Sequence, residues 1–209
     1  LAQHIHMLSK EAPKALSQAS FFKDGPLAIF GSGAWMHYSL MRMINKSFNR
    51  LDELGLERPP IIGLQKSGIL VDHANMIDPY IEPNSILSID DNYRQKYIYS
   101  RSEPWSQTFG AETHYGQDFI FKTESGRLFV FSLPFPYNSK EPYSKFKVEK
   151  AKLENYKELA RACDLIRHFE CDLYENAVVP IALAHRHSAI SLVPGGKVLD
   201  LMTAAVIRK

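Results

Sequence analysis

Residues 117–135 have the sequence QDFIFKTESGRLFVFSLPF, in which two runs of aromatic and branched residues flank a Glu-Ser-Gly segment. Aromatic and β-branched side chains favour strands, and a short polar segment with glycine favours a tight connection between two strands. The segment therefore predicts a β-hairpin. It is the clearest antiparallel signal in the chain.

The first third of the chain predicts a different kind of pairing. The sequences PLAIFG at residues 26–31 and IIGLQKSG at residues 61–68 each predict a short buried strand. Between them, apolar residues recur at helical spacing from Ala34 to Leu54, and Gly55 follows where a helix C-cap is expected. A strand, a helix and a strand in this order predict parallel pairing of the two strands.

Further helices are predicted before and after these units. Residues 1–19 and 69–78 predict short helices, and a charged stretch favours a helix over residues 145–172. Pro180 stands where the first turn of another helix would begin, and an amphipathic run occupies residues 197–207. Helices combined with parallel and antiparallel pairing predict an α/β fold with a mixed sheet flanked by helices.

The composition is that of an ordinary globular chain. With 209 residues, 45% of them apolar, we expect one domain over residues 1–209. The net charge is only +2, so a nucleic-acid partner would need a local basic surface. No apolar run reaches the length of a membrane span and no signal peptide opens the chain, so we expect no membrane partner. Two cysteines, expected to be reduced, indicate a cytoplasmic protein.

An acidic residue, Asp24, lies between two apolar runs in FFKDGPLAIF, residues 21–30. A carboxylate held at the end of a strand beside Gly25 suits a divalent cation, because glycine leaves room for the ion and a phosphate. A two-metal phosphodiesterase needs several such ligands, and Asp24 supplies one of them. The alternative is an Asp-Gly-Pro turn without a catalytic role.

Two more side chains are candidates for the same chemistry. His185 lies in an apolar run and can serve as a metal ligand, a proton donor or a phosphate-positioning group, or as a hydrogen-bonded core residue. On a helix, His187 would point about 200° away, so the two histidines cannot share one ion. Lys66 at a strand end can contact a phosphate or remain a solvated turn residue. Its surroundings lack the spacing of a P-loop, which excludes nucleotide hydrolysis of that type.

A basic and aromatic run, NYRQKYIYSR at residues 92–101, interleaves tyrosines with Arg94, Lys96 and Arg101. On a helix, Arg94 and Arg101 would share one face and could follow a phosphate backbone while tyrosines stack on bases. The pattern fits an ordinary amphipathic helix equally well. We therefore treat the three basic residues as candidate DNA contacts.

Four segments in a fixed order resemble the NurA nuclease family, whose members pair with the hexameric HerA translocase. The segments are DGPL at residues 24–27, IIGLQKSG at 61–68, GRLFVFSLPFP at 126–136 and VVPIALAHRHSAI at 178–190. The resemblance covers most of the chain. It implies an RNase H-like fold, a homodimer, and a deoxyribonuclease that uses Mn²⁺ or Mg²⁺ in DNA end resection or in anti-phage defence.

The resemblance also implies roles for individual residues. Asp24 matches a catalytic, metal-binding aspartate of the family, and His185 matches the histidine of its closing Ala-His motif. Lys66 matches the lysine at the end of a family strand, which makes it a candidate for both catalysis and DNA binding. Where the family has a tyrosine eight residues before the histidine, this chain has Ala177, with Tyr174 one helical turn earlier.

One departure from the family concerns the acidic ligands. The family carries an Asp-Gly-Ser strand and then a glutamate before the position of Asp24. The 23 residues that precede Asp24 here contain no Asp-Gly-Ser and are too few for that strand, so two metal ligands of the family are missing. The chain starts at Leu1, so we expect the C-terminal portion of a longer protein, or else a degenerate nuclease. Three functions stay open: a metal-dependent nuclease working with a HerA-like ATPase, a catalytically silent adaptor that docks on the ATPase or holds DNA, and a metal hydrolase acting on small phosphodiesters.

Overall fold

The architecture follows from one parallel strand pair joined to an antiparallel hairpin. The computed structural model describes residues 1–98, 113–136, 149–170 and 177–187. Their five strands form one mixed sheet in the order β1-β2-β5-β4-β3. The strands are β1 (Phe21–Asp24), β2 (Ile61–Gln65), β3 (Ser85–Ser88), β4 (Gly116–Lys122) and β5 (Leu128–Pro134). Strands β1 and β2 are parallel, and the other neighbours are antiparallel, which confirms the predicted α/β class with a mixed sheet.

Helices cover both faces of this sheet. They are α1 (Ala2–Glu11), α2 (Pro13–Gln18), α3 (His37–Glu53), α4 (Ile69–Ile77), the short α5 (Asp91–Tyr93), α6 (Leu159–His168) and α7 (residues 179–187). A π-helical segment, Arg94–Ile98, continues α5, and 3₁₀ segments occupy Gly31–Met36, Asp78–Tyr80 and Leu153–Asn155. None of the helices in the described ranges is long and apolar enough to cross a membrane.

The predicted hairpin is confirmed. Strands β4 and β5 pair in antiparallel register, with Phe119 opposite Phe131 and Phe121 opposite Phe129. Gly126 adopts a φ of +85° in the turn and donates its backbone N–H to the Thr123 carbonyl at 3.0 Å. Both faces of these strands are buried, which explains why their apolar runs are nearly continuous instead of alternating.

The first predicted strand was placed wrongly, and the strand that pairs in parallel with β2 is β1 instead. The strand covers Phe21–Asp24, whereas residues 26–31 form only an isolated bridge between Ala28 and His114. Gly25 takes a φ of +90° and is followed by Pro26, and these two residues end the strand. Leu27 and Ala28 after the turn are buried although they belong to no strand, so the apolar character of this run did not mark one.

The long helix between the two parallel strands is confirmed. Helix α3 ends at Glu53, and Gly55 follows with a φ of +66° as the predicted C-terminal glycine. One side of α3 packs with α1 onto one face of the sheet, burying Met41, Ile44 and Phe48. The opposite face is covered by α6 and α7.

The predicted helix over residues 145–172 is shorter than expected. Its described part contains α6 and the 3₁₀ segment Leu153–Asn155, separated by a non-helical stretch that begins at Tyr156. Residues 145–148, 171–172 and the amphipathic run 197–207 lie outside the described residues. The charged composition therefore identified a helical region but did not fix its limits.

Candidate active site

Two parallel strands bring Asp24 and Lys66 to the same edge of the sheet. Asp24 is the last residue of β1, and Lys66 directly follows β2, whose Leu64 pairs with Asp24. Because the two strands run in the same direction, their carboxyl ends meet. The Lys66 Nζ atom lies 3.0 Å from Oδ1 of Asp24.

Helix α7 brings His185 to the same place. Val178 and Ile181 at the start of α7 are buried against the face of the sheet that also carries α6. Anchored in this way, the helix presents His185 at the sheet edge, with Nε2 at 2.6 Å from Oδ2 of Asp24. The same nitrogen lies 2.9 Å from Nζ of Lys66. Three side chains that are far apart in the sequence therefore form one triangular contact.

Local backbone geometry fixes the position of the carboxylate. The Gly25 N–H donates to the Leu64 carbonyl at 2.7 Å and extends the pairing one residue beyond β1. Lys23 Nζ donates to the Pro26 carbonyl at 2.6 Å across the turn. A Cβ atom on Gly63 would lie 2.8 Å from the Gly25 carbonyl oxygen, so the turn sits against β2 at a distance that only glycine permits.

The two contacts of His185 require opposite protonation states. An ionised carboxylate only accepts hydrogen bonds, and an ammonium group only donates them. Nε2 can donate to Asp24 only when it carries a hydrogen, and it can accept from Lys66 only when it does not. Only one of the two contacts at Nε2 can therefore be a hydrogen bond at a time.

The carboxyl group of Asp24 is ionised at neutral pH. Partial burial opposes its ionisation, but hydrogen bonds from Lys66 and His185, together with their charges, outweigh burial and lower the pKa of Asp24 below its usual value. The Asp24 side chain is 43% exposed and that of His185 is 54% exposed. Solvent screens ion pairs at such exposure, so these contacts contribute little to stability and substitutions here test function without unfolding the chain.

A shallow cavity of about 350 Å³ adjoins the cluster. It is lined by residues of β1 and α7, with Ser20 just before the strand: Ser20, Phe22, Asp24, Pro180, Ile181, Ala184 and His185. Ser20 and Phe22 were not among the predicted site residues. Side chains alternate along a strand, so residues 20, 22 and 24 share one face, and this period of two was the signal that could have identified them.

Asp24 and His185 can supply part of a metal site. Their Oδ2 and Nε2 atoms form a mixed oxygen and nitrogen pair, which suits Mn²⁺ better than Mg²⁺, an ion that prefers oxygen. Within the described ranges, no group of three or more His, Cys, Asp or Glu side chains could hold a metal ion. The pair therefore fits a cation whose other ligands come from elsewhere, such as the phosphate oxygens of a substrate. The Lys66 ammonium group competes with that cation for Asp24.

The two described bases of the basic run, Arg94 and Lys96, do not share one surface. Arg94 is 2% exposed, and its Nη2 donates to Oδ2 of Asp118 at 2.7 Å inside the protein. The prediction that Arg94 contacts DNA is therefore wrong, because its charge is used to neutralise a buried carboxylate. Lys96 is exposed and lies 4.9 Å from the ring centroid of Tyr97. Arg101 lies outside the described residues.

The tyrosine that the resemblance implies has no described equivalent. Ala177, at the expected position, is buried and carries no polar group. Tyr174 lies outside the described residues. Asp118, by contrast, is a buried acid that the sequence did not single out, and besides Arg94 it accepts a hydrogen bond from Gln65 Nε2 at 3.0 Å. Gln65 immediately precedes Lys66, so this buried network supports the strand end that carries the lysine.

Comparison with protein-family models, with curated proteins and with solved structures gave no match for this chain.

Proposed function

We propose that the protein is a metal-dependent deoxyribonuclease that processes DNA together with a HerA-like hexameric ATPase, in end resection or in anti-phage defence. The proposal includes an RNase H-like fold and a homodimer, as the resemblance to the NurA family implies. The antiparallel order β3-β4-β5 beside a parallel strand pair, with helices on both faces, supports that fold.

One observation carries the proposal: the contact between Asp24, Lys66 and His185. The resemblance selected these residues from three separate motifs, and they lie within 3.0 Å of one another at one edge of the sheet. An acid, a base and a cation beside an open cavity are the groups needed to hold, attack and neutralise a phosphodiester.

Each side chain has a distinct role in this proposal. Ionised Asp24 holds the divalent cation, with His185 as a second ligand or as the group that protonates the leaving oxygen. Lys66 is partly exposed, so its flexible chain can turn from the carboxylate to a phosphate oxygen and offset its charge. When bound, the cation lowers the pKa of the attacking water and stabilises charge on the leaving oxygen.

A catalytically silent adaptor is the second candidate, and a specific contact favours it. Lys66 already neutralises Asp24 at 3.0 Å, so the carboxylate is satisfied without an ion. In that case the cluster would tie β1, β2 and α7 together, and the protein would serve to dock on the ATPase or to hold DNA.

Cleavage of linear and circular DNA in Mn²⁺, with and without the ATPase, distinguishes the two functions. The nuclease proposal predicts cleavage by the wild type and its loss in Asp24→Ala and in His185→Ala. Asp72→Ala and His187→Ala are matched controls, because both residues are exposed on helices and are absent from the residues that line the cavity.

Two results would contradict the nuclease proposal. Equal cleavage by Asp24→Ala and Asp72→Ala would exclude Asp24 from the chemistry. Absence of cleavage by the wild type under all conditions, combined with binding to the ATPase, would favour the adaptor. Turnover of a simple phosphodiester without cleavage of DNA would instead identify a small-molecule hydrolase.

A further inference from the structure

A basic groove lies between helices α1 and α3, outside the candidate active site. It has a volume of about 610 Å³, and nine residues line it: His6, Ser9, Lys10, Arg42, Met43, Lys46, Asn49, Arg50 and Glu53. Four of them are permanently charged bases and one is an acid. The net charge of these nine residues is therefore more positive than the net charge of the whole chain, which is +2.

Among the residues that the structure describes, no acidic side chain forms an ion pair with the bases of the groove. Lys10, Arg42, Lys46 and Arg50 are exposed, and none of them takes part in an ion pair with another residue that the structure describes. Elsewhere in the described ranges most surface bases form ion pairs, as Lys157 does with Asp52. A cluster of exposed like charges destabilises the folded state by self-repulsion, so it indicates a function that requires it.

The bases of α3 form a line along the groove. Arg42, Lys46 and Arg50 follow one another at intervals of four residues on α3, which places successive charges about 6 Å apart along the helix axis. Their helix buries the opposite side against the core, so the basic side faces outward. Lys10 stands on α1 across the groove.

His6 lies in the electrostatic field of the same basic residues. Its Nδ1 lies 3.3 Å from Oγ of Ser47 on α3. Partial burial lowers the pKa of His6, and so do the charges of Lys10, Lys46 and Arg50. An anion bound in the groove would oppose this field and raise the pKa of His6.

We propose that the groove between α1 and α3 binds the phosphate backbone of a nucleic acid. The line of three bases on one helix and a fourth base on the facing helix match a linear array of negative charges, and the scarcity of apolar residues in the lining argues against a hydrophobic partner. Contacts from lysine and arginine to phosphates carry no sequence information, so we expect the binding to be independent of sequence.

This inference goes beyond the proposed nuclease function. Helix α7, which carries His185, covers the face of the sheet opposite to α3. The groove is therefore a second nucleic-acid contact that the phosphodiester chemistry does not require. Binding at the groove can be present whether or not the chain cleaves DNA.

Fluorescence anisotropy in EDTA measures the groove without cleavage. The probe is a labelled duplex of about 20 base pairs, titrated with the full chain in roughly 50 to 300 mM KCl. For the triple variant Arg42→Gln, Lys46→Gln and Arg50→Gln, we expect the slope of log K against log salt to fall by about 2.7, or about 0.9 for each lost contact, and the affinity to fall more than about tenfold near 100 mM salt. Glutamine has nearly the helix propensity of arginine and lysine, so the variant keeps its fold, which circular dichroism verifies.

A second triple variant controls for total charge. Lys14→Gln, Lys152→Gln and Arg167→Gln removes three charges outside the groove, and we expect its slope to change by less than about 1. NMR titration of His6 should show its pKa raised by the duplex. The anisotropy titration is made in EDTA, where metal-dependent cleavage cannot occur, so its outcome is independent of the test of the nuclease proposal.

Three results would overturn the inference. They are equal loss of affinity in the two triple variants, failure of the wild type to bind the duplex, and displacement of the duplex by poly-glutamate at equal charge. The last result would show that the groove recognises acidic protein surfaces instead of nucleic acid.

Discussion

The buried ion pair between Arg94 and Asp118 allows a quantitative test of the fold. Both side chains are almost inaccessible, with 2% and 3% exposure, and Nη2 of Arg94 lies 2.7 Å from Oδ2 of Asp118. In Arg94→Met, the carboxylate would keep the hydrogen bond from Gln65 but lose the ion pair with Arg94. Breaking a buried pair by removing one partner costs about 3 to 5 kcal/mol, because the remaining charge stays buried without compensation.

A double-mutant cycle isolates this interaction. Asp118→Asn alone leaves the guanidinium group buried, and we expect a similar loss. The double variant carries neither charge, so its free energy of unfolding should exceed the value expected from additivity by roughly 2 kcal/mol, within the range found for residues in contact. Urea unfolding followed by circular dichroism gives the four free energies.

Lys96→Met is the matched control for Arg94→Met. Lys96 belongs to the same basic run but is exposed, so its substitution should change the free energy of unfolding by less than about 0.5 kcal/mol. If Arg94→Met weakened DNA binding while leaving stability at the wild-type value, Arg94 would lie on a DNA-binding surface and its assignment to the core would be wrong.

Two further predictions concern stability. Burial raises the pKa of Glu158 to about 7, although Arg58 partly offsets this effect, so the folded state holds a proton that the unfolded state releases near 4.5. The free energy of unfolding should therefore fall by on the order of 3 kcal/mol as pH rises from 4.5 to 7. Urea titrations should show that Glu158→Gln lacks this pH-dependent component. Equal pH profiles for the wild type and the variant would refute the prediction. In Gly63→Ala, the new Cβ would lie 2.7 Å from Ser132 Oγ and 2.8 Å from the Gly25 carbonyl, which predicts a loss of about 2 to 3 kcal/mol and a Tm lower by roughly 5 to 10 °C. In the control Gly33→Ala, the new Cβ would lie 3.2 Å from a flexible side chain, so Tm should change by less than about 2 °C. The same Tm for both variants would contradict the close packing of the Gly25 turn against β2.

The sequence predicted correctly the elements whose defining residues lie close together in the chain. The hairpin of β4 and β5 combines strand-favouring runs with a glycine turn, and α3 combines an apolar period with Gly55 at its end. The apolar runs on either side of Asp24 gave no such distinction, because both contain apolar residues that pack against the core. The strand is the run before Gly25 and Pro26, and its partner β2 lies far along the chain.

Long-range contacts explain the errors in the predicted binding surface. The spacing of Arg94 and Arg101 fits an exposed helical face, but the buried Asp118 that pairs with Arg94 is on β4 and could not be inferred from the neighbouring sequence. The line of Arg42, Lys46 and Arg50 was visible as a period of four. The groove that these bases line exists only because α1 packs beside α3 and adds Lys10.

The residues of the candidate site were predicted from motifs and not from periodicity. Asp24, Lys66 and His185 were selected by their places in three ordered motifs, and periodicity alone left each with an inert alternative. The fold brings them together because two parallel strands end at one edge and α7 is anchored beside that edge. Proximity at the site is thus a property of the tertiary structure.

Binding of Mn²⁺ to the full chain, followed by electron paramagnetic resonance, tests the proposed metal site most directly. Asp24→Ala should weaken binding by more than about tenfold, since even groups that only orient a metal ligand affect affinity by 10- to 100-fold. Lys66→Met should tighten binding, because it removes the ammonium group that lies 3.0 Å from the carboxylate and competes with the cation. The same Kd for the wild type and both variants would show that Mn²⁺ does not bind at Asp24, and the proposal of a metal-dependent nuclease centred on that residue would fail.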